Sequence, residues 1–245
     1  MSKAWEILEE CGRLLSTPLQ RNILNEADSG RLATLVVRAR DLLWRSYGEV
    51  GFNNVYVSFN GGKDSVTVLH LHRLTVLYDS KLCDKTGTSP LNVVYFRDAE
   101  TREFPEIESF LQQTSKRYNF SLQVIGGNWR IGIPKLPQGE KKAFVLGSRR
   151  SDFKSDDVSE IEAGNVENIS FTRIHPIMDW TYGDVWNFIR LFSLEYCQLY
   201  DKGYTSIGSV DDTVENPHLR NPDGSYAPAY TLKDWSLERS GRQGM

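Results

Sequence analysis

The chain of 245 residues is 40% hydrophobic and 25% charged, with 29 basic against 32 acidic residues and a net charge of -3, which sets aside disordered, collagen-like and disulfide-scaffold classes. This slightly acidic balance argues against a protein that grips a nucleic-acid backbone through a basic surface, so an anionic ligand must be held by local donors. Three separated cysteines (Cys11, Cys83, Cys197) and four histidines apart from them make neither a disulfide framework nor a zinc pattern. Glu6, Glu9 and Glu10 interrupt any apolar leader, and the apolar runs fall far short of a membrane span. The expectation is a cytoplasmic protein with neither membrane nor nucleic acid as partner.

Taken in chain order, residues 3–47 read as helices, with Leu32, Leu35, Val36, Ala39, Leu42 and Leu43 at helical spacing. Residues 55–59 form a short β-rich run, and a helical stretch follows from Lys63 to about Tyr78. Further strands are expected at 92–96, 121–125, 143–146 and 169–174, with a helix over 101–118. Residues 126–142, rich in Gly, Pro and Lys, read as an irregular connection with at most short helical pieces. Thr181 and Asp184 make a capping box that opens a helix through Phe192, along which Val185, Trp186, Ile189 and Phe192 form a core stripe. The segment beyond carries Pro217, Pro222, Gly224 and Pro228 and reads as loop. Strands alternating with helices imply an α/β fold, a doubly wound, mostly parallel sheet with helices on both faces. One domain over 1–245 is expected, with a helical layer over 1–50, the sheet core over 51–195 and a loop-rich, substrate-contacting tail over 196–245.

The sharpest local feature is the run from Ser58 to Ser65, Ser-Phe-Asn-Gly-Gly-Lys-Asp-Ser, between a strand and a helix. Gly61 and Gly62 allow a tight turn and close approach of a ligand, and the helix then begins with free N–H groups and the positive end of its dipole. Lys63 adds a point charge and Ser65 a hydroxyl. The Walker A pattern is not met, since Val57 stands where its first glycine belongs and Asp64 follows the lysine.

Gly-Gly-Lys-Asp-Ser after a strand resembles the PP-loop of the ATP-pyrophosphatase superfamily, which includes PAPS reductases, ATP sulfurylase small subunits and eukaryotic-type FAD synthases. That resemblance implies cleavage of ATP between its α and β phosphates and a ligand beyond the carboxyl ends of the strands. A reductase of this kind resembles its relatives in a C-terminal cysteine, and no cysteine follows Cys197. Asn60 before the glycine pair is similar to eukaryotic-type FAD synthases, as are the runs 96–101 (FRDAET), 147–152 (GSRRSD), 175–180 (HPIMDW), 204–209 (YTSIGS) and 238–242 (ERSGR). The likeness covers roughly residues 50–242, in order.

It implies an FMN adenylyltransferase, with ATP and FMN as substrates, FAD and pyrophosphate as products, Mg²⁺ as cofactor and no covalent intermediate. FMN's phosphate is already ionised near neutral pH, so positioning and charge neutralisation carry the reaction. Asn60 and Asp64 would serve the metal or its waters, with Ser58, Gly61, Gly62, Lys63 and Ser65 around the phosphates. Arg149 and Arg150, after a strand, can grip a phosphate, and Asp152 can fix an arginine or substrate hydroxyls. Arg239 and Arg242 share a face if their segment is helical, and could neutralise charge at the α-phosphate. Phe96, Arg97 and Asp98 would border adenosine, and Asp179 and Trp180 would meet the flavin ring. The residues leave open other ATP-pyrophosphatase chemistry, with sulfate or a tRNA base as acceptor, and a non-catalytic nucleotide-binding scaffold.

Overall fold

The computed structural model describes residues 2–78, 91–98, 100–138, 141–155 and 157–243; Cys83 and Ala99 lie outside the described residues. Two helices come first, α1 (Lys3–Leu15) and α2 (Glu26–Val50). The Asn25 side chain accepts the Asp28 N–H to open α2, satisfying one of the orphan donors of the first turn. Six strands then build one sheet: β1 (Val55–Ser58), β2 (Asn92–Arg97), β3 (Leu122–Gly126), β4 (Lys142–Val145), β5 (Ile161–Val166) and β6 (Ile169–Ile174). Between them run α3 (Lys63–Tyr78), α4 (Pro105–Arg117) and the single turn α5 (Trp129–Gly132), and α6 (Tyr182–Leu191) follows β6. The strand order is β3-β2-β1-β4-β6-β5. All neighbours pair parallel except β5 with β6.

That order reverses direction between β1 and β4, so the loops leaving their carboxyl ends diverge and a crevice opens there. Alternation along the strands divides the sheet into two faces. Val55, Val57, Val93, Ala143, Val145 and Ile174 join the main core with residues of α1, α2, α3, α4 and α6. Tyr56, Val94, Phe144 and Phe171 point the other way, into a smaller cluster with Ile133 and Leu136. Helices therefore lie on both faces, but unequally: α5 and the 3₁₀ turn Ile133–Lys135 are the helical cover on the second face.

Two local expectations change. The helix expected from residue 101 begins at Pro105, whose fixed φ and missing N–H suit a first helical position. The strand β5 was not expected; its run Ile-Glu-Ala-Gly-Asn-Val carries four poor strand formers, Glu162, Ala163, Gly164 and Asn165. It forms because Glu167 and Asn168, with φ of 48° and 65°, make a tight turn that folds it back on β6.

The capping box of α6 also ties the helical layer together. Asp184 accepts from the Thr181 N–H (2.8 Å) and Thr181 Oγ1 (2.7 Å). Arg31 of α2 grips the same carboxylate with Nε and Nη2, at 2.8 and 2.7 Å. Burial pushes the Asp184 carboxyl up, but the Arg31 and Thr181 hydrogen bonds outweigh it and hold it below its ordinary value. A depressed folded-state pKa adds stability that is present above the unfolded value and lost as pH falls through the folded one. Asp184→Ala should therefore cost about 2 kcal/mol in urea unfolding at neutral pH. The gap from the parent protein should hold above about pH 5 and shrink below about pH 4.

Candidate active site

β1 ends at Ser58 and the chain turns through Asn60, Gly61 and Gly62 into α3. Gly61 has φ +79°, a conformation that side chains on Cβ disfavour. The Asn60 Oδ1 accepts the Gly62 N–H at 3.0 Å, and the Tyr200 hydroxyl accepts the Lys63 N–H at 2.8 Å. The Ser65 hydroxyl donates back to the Gly62 carbonyl (2.8 Å), so it braces the turn. The amides of Gly61, Asp64 and Ser65 carry no hydrogen bond among the described residues, which leaves the first turn of α3 able to receive an anion. Gly147, after β4, sits so close that a Cβ there would stand 2.9 Å from the Asp64 carbonyl carbon. The two loops at the strand reversal are thus in direct backbone contact.

Next to this turn four charged side chains close into a ring. Lys63 Nζ donates to Asp64 Oδ2 (3.0 Å) and to Glu238 Oε1 (2.6 Å). Arg149 Nε donates to Asp64 Oδ1 (2.8 Å), and its Nη2 to both Glu238 oxygens (2.6 and 2.7 Å). The two cations are almost fully buried, their side chains 3% and 4% exposed. Burial pushes the Lys63 ammonium down, but Asp64 and Glu238 overcome it and hold it above its ordinary range. Burial raises the Asp64 carboxyl, while Lys63 and Arg149 bring it below the usual carboxylate range. Arg149 shifts upward against its burial because Asp64 and Glu238 flank it.

Glu238 arrives on the C-terminal segment with two more arginines. Residues 238–241 are turn and Arg242 makes an isolated antiparallel bridge with Thr213, so the i, i+3 spacing of Arg239 and Arg242 does not act through a helical face. Both nevertheless line one cavity of about 280 Å³ with Asn60, Lys63, Asp64, Ser65, Ser148 and Asp152. Asp152 does fix an arginine: its Oδ1 accepts from Arg239 Nη2 at 2.6 Å, while Oδ2 accepts the Arg149 N–H at 2.8 Å. Arg242 donates to Asp212 Oδ2 at 3.0 Å. Its guanidinium lies flat on Gly208, where a Cβ would stand 2.3 Å from Cζ.

Two clefts flank this charge-lined cavity. One, of about 420 Å³, is lined by Phe96, Trp129, Phe144, Phe153 and Phe171 on the thinly covered face of the sheet. The other, of about 330 Å³, runs past Phe96, Asp98, Thr101, Gly208 and Asp212. Asn60 borders all three spaces, and Arg242 borders the cavity and the second cleft.

Not every residue singled out in the sequence converges here. Arg97 turns away to pair with Glu103 and Glu108. Arg150 holds Asp179 at 2.8 Å, and neither borders these three spaces. The Trp180 ring is packed edge-on against Phe188 in the core. Glu238 belongs to the run 238–242 but has no role of its own in the sequence, and Tyr200, which carries no local signal, escapes it altogether.

A family model described as the phosphoadenosine phosphosulfate reductase domain matches residues 133–215. The chain is 37% identical over 190 residues to a probable FAD synthase of Schizosaccharomyces pombe, covering 76% of this chain and 70% of that protein. It is 34% identical over 200 residues to a probable FAD synthase of Caenorhabditis briggsae, covering 79% of this chain but 37% of the nematode protein. The fold is shared with the crystal structure of Candida glabrata FMN adenylyltransferase in complex with FAD and inorganic pyrophosphate, at a TM-score of 0.81, 24% identity and coverage of 99% and 98%. With a parallel sheet reversed at β1 and β4, a glycine turn opening α3 and this extent of identity to the fission yeast protein, the chain belongs to the FAD synthase family.

Proposed function

We propose that the chain transfers AMP from ATP to the phosphate of FMN, giving FAD and pyrophosphate. The observation that carries this reading is the junction at Asn60, where one cavity lined by charged side chains meets two clefts. A reaction that joins two nucleotides through their phosphates needs such a shape: charge handling at the centre and a planar ring to each side. The family relationship supports it, since relatives of this chain are named FAD synthases. The whole of 1–245 is taken as one catalytic unit, supported by a core cluster that runs from Leu8 to Leu232.

In this reading the free amides of Gly61, Asp64 and Ser65 receive phosphate oxygens, and Arg239 and Arg242 neutralise charge that moves onto the leaving pyrophosphate. Asp152 sets Arg239 in place through its 2.6 Å hydrogen bond. Lys63 and Arg149 act from beneath, as the charges that orient Asp64. No group of three or more acidic, His or Cys side chains able to hold a metal occurs among the described residues. Asp64 and Asn60 both line the cavity, and their oxygens, which already accept one hydrogen bond each, keep a lone pair with which they would hold an ion carried in on ATP. Mg²⁺ bound there would lower the charge of the phosphates, with waters completing its shell. Phe96 and Asp98 are taken to border one ring, whereas Arg97, Arg150, Asp179 and Trp180 support the walls. A thiol-based reductase is not favoured, because Cys197 is buried and burial pushes its thiol up to about 11.

Incubation with ATP, Mg²⁺ and FMN should yield FAD on chromatography, and chelation of the metal should stop it; absence of FAD would overturn the assignment. Asp64→Ala should lower kcat/KM by about 100-fold or more and, by leaving Lys63 and Arg149 short of a counter-charge, should lower the urea midpoint as well. Gly147→Ala should push the two loops apart and reduce kcat/KM by about tenfold to a hundredfold, checked by the same assay.

A further inference from the structure

We propose that Glu238 is a positioning residue for this phosphate site: from the C-terminal segment, its carboxylate holds the buried Lys63 ammonium and Arg149 guanidinium in one arrangement beside Asp64. The inference rests on the site reading above and assigns a role that the sequence motifs did not.

The charge count makes the case first. Lys63 and Arg149 bring two positive charges into a nearly solvent-free position, and Asp64 supplies one negative charge. Glu238 supplies the second, at 2.6 Å from both cations. An unpaired buried charge is strongly unfavourable, so without Glu238 the two cations would compete for Asp64 or drift apart.

The carboxylate is also delivered firmly. The Thr205 hydroxyl donates to the Glu238 carbonyl at 2.6 Å, and Asn216 Nδ2 donates to the Leu237 carbonyl and to Thr205 Oγ1, both at 2.8 Å. Thr205 and Asn216 are themselves buried. Farther along, the Val214 N–H donates to the Gly241 carbonyl (2.9 Å) and the Gln243 N–H to the Asp212 carbonyl (2.8 Å). The segment is therefore sewn to residues 205–216 on both sides of Glu238, and a solvated acidic tail would need none of this.

The groups that face Lys63 Nζ are few and come from every element around it. They are Asp64 on α3, Glu238 on the C-terminal segment, Arg149 after β4, Tyr182 on α6 at 5.3 Å and Tyr200 at 6.0 Å from the ring centroids. Glu238→Gln keeps the size of the side chain but removes half of the negative charge. With one carboxylate left between two buried cations, Lys63 and Arg149 lose the anchor they share and Asp64 loses its fixed orientation.

The experiment measures kcat and the KM values for ATP and FMN in FAD formation by the full chain at neutral pH, with ATP affinity by calorimetry. E238Q should lower kcat/KM for ATP by about tenfold to a hundredfold, the scale seen when a supporting partner of an active group is lost. ATP affinity should weaken with it, while the KM for FMN stays within about threefold, because the ring lies beside the phosphate turn. Glu238→Asp should recover part of the loss, since the charge remains while its reach shortens; it carries the test if E238Q does not fold, and parent-like values would then overturn the proposal. E238Q within about threefold of the parent, or lower in kcat with ATP affinity unchanged, as a smaller folded fraction would give, would also overturn it. If the parent makes no FAD while E238Q alone loses ATP affinity, the functional reading fails and the positioning role stands; with no such loss, both fail.

Discussion

The closed ring of Lys63, Asp64, Arg149 and Glu238 is the constraint on which the rest of the site depends. Each of its four members comes with a different demand on the chain. Lys63 and Asp64 need α3 to begin immediately after the glycine turn, and Arg149 needs β4 to end beside β1. Glu238 needs a segment from nearly the end of the chain to return to the sheet. Buried charges of one sign are tolerable only when charges of the other sign meet them with good hydrogen-bond geometry. Two lysine and arginine cations and two carboxylates in alternation satisfy that condition. The ring is neutral as a whole, so it does not itself attract anions. In the proposed reaction it orients Asp64 and leaves the loop amides and the outer arginines to meet phosphate.

The sheet explains where the substrates' larger parts can go. One face is covered by α1, α2, α3, α4 and α6, and the core cluster on that side is continuous. The other is covered by one helical turn and a 3₁₀ turn, which leaves Phe96, Phe144, Phe171 and Trp129 to wall a cleft. Uneven cover thus turns a structural shortage into binding space. The position of that space is set by the reversal between β1 and β4, which is also where the glycine turn lies. Cleft, turn and charge ring share a boundary because they share one topological feature.

Much of the fold was legible along the chain. The helix from Lys63 to Tyr78, the capping box at Thr181 and Asp184, and the parallel strands all follow local rules of period, turn and cap. β5 was not legible, because an edge strand of Glu, Gly and Asn is held by its hairpin and not by its own propensity. At the site, Asn60, Lys63, Asp64 and Asp152 stood out because each sits in a short run with a recognisable turn. Arg97, Arg150, Asp179 and Trp180 lay in runs just as conspicuous, yet their side chains are occupied by ion pairs or core packing away from the clefts. A run of residues shows which chemistry is at hand, but side-chain direction depends on partners that arrive from elsewhere.

The sequence by itself determined the class of fold, the glycine turn at the mouth of a helix and the need for local donors in a chain with no basic excess. These are properties of neighbouring residues, and short-range sterics and hydrogen bonding settle them. Tertiary structure decided that Lys63 faces inward, that Arg149 braces Asp64, and that Arg239 and Arg242 reach the cavity from a turn and a β-bridge and not from a helix. It also made Glu238 part of the site, 175 residues from the lysine it neutralises. The reason is electrostatic: burial makes each charge depend on a counter-charge within about 3 Å, and proximity of that kind exists only once the chain has folded.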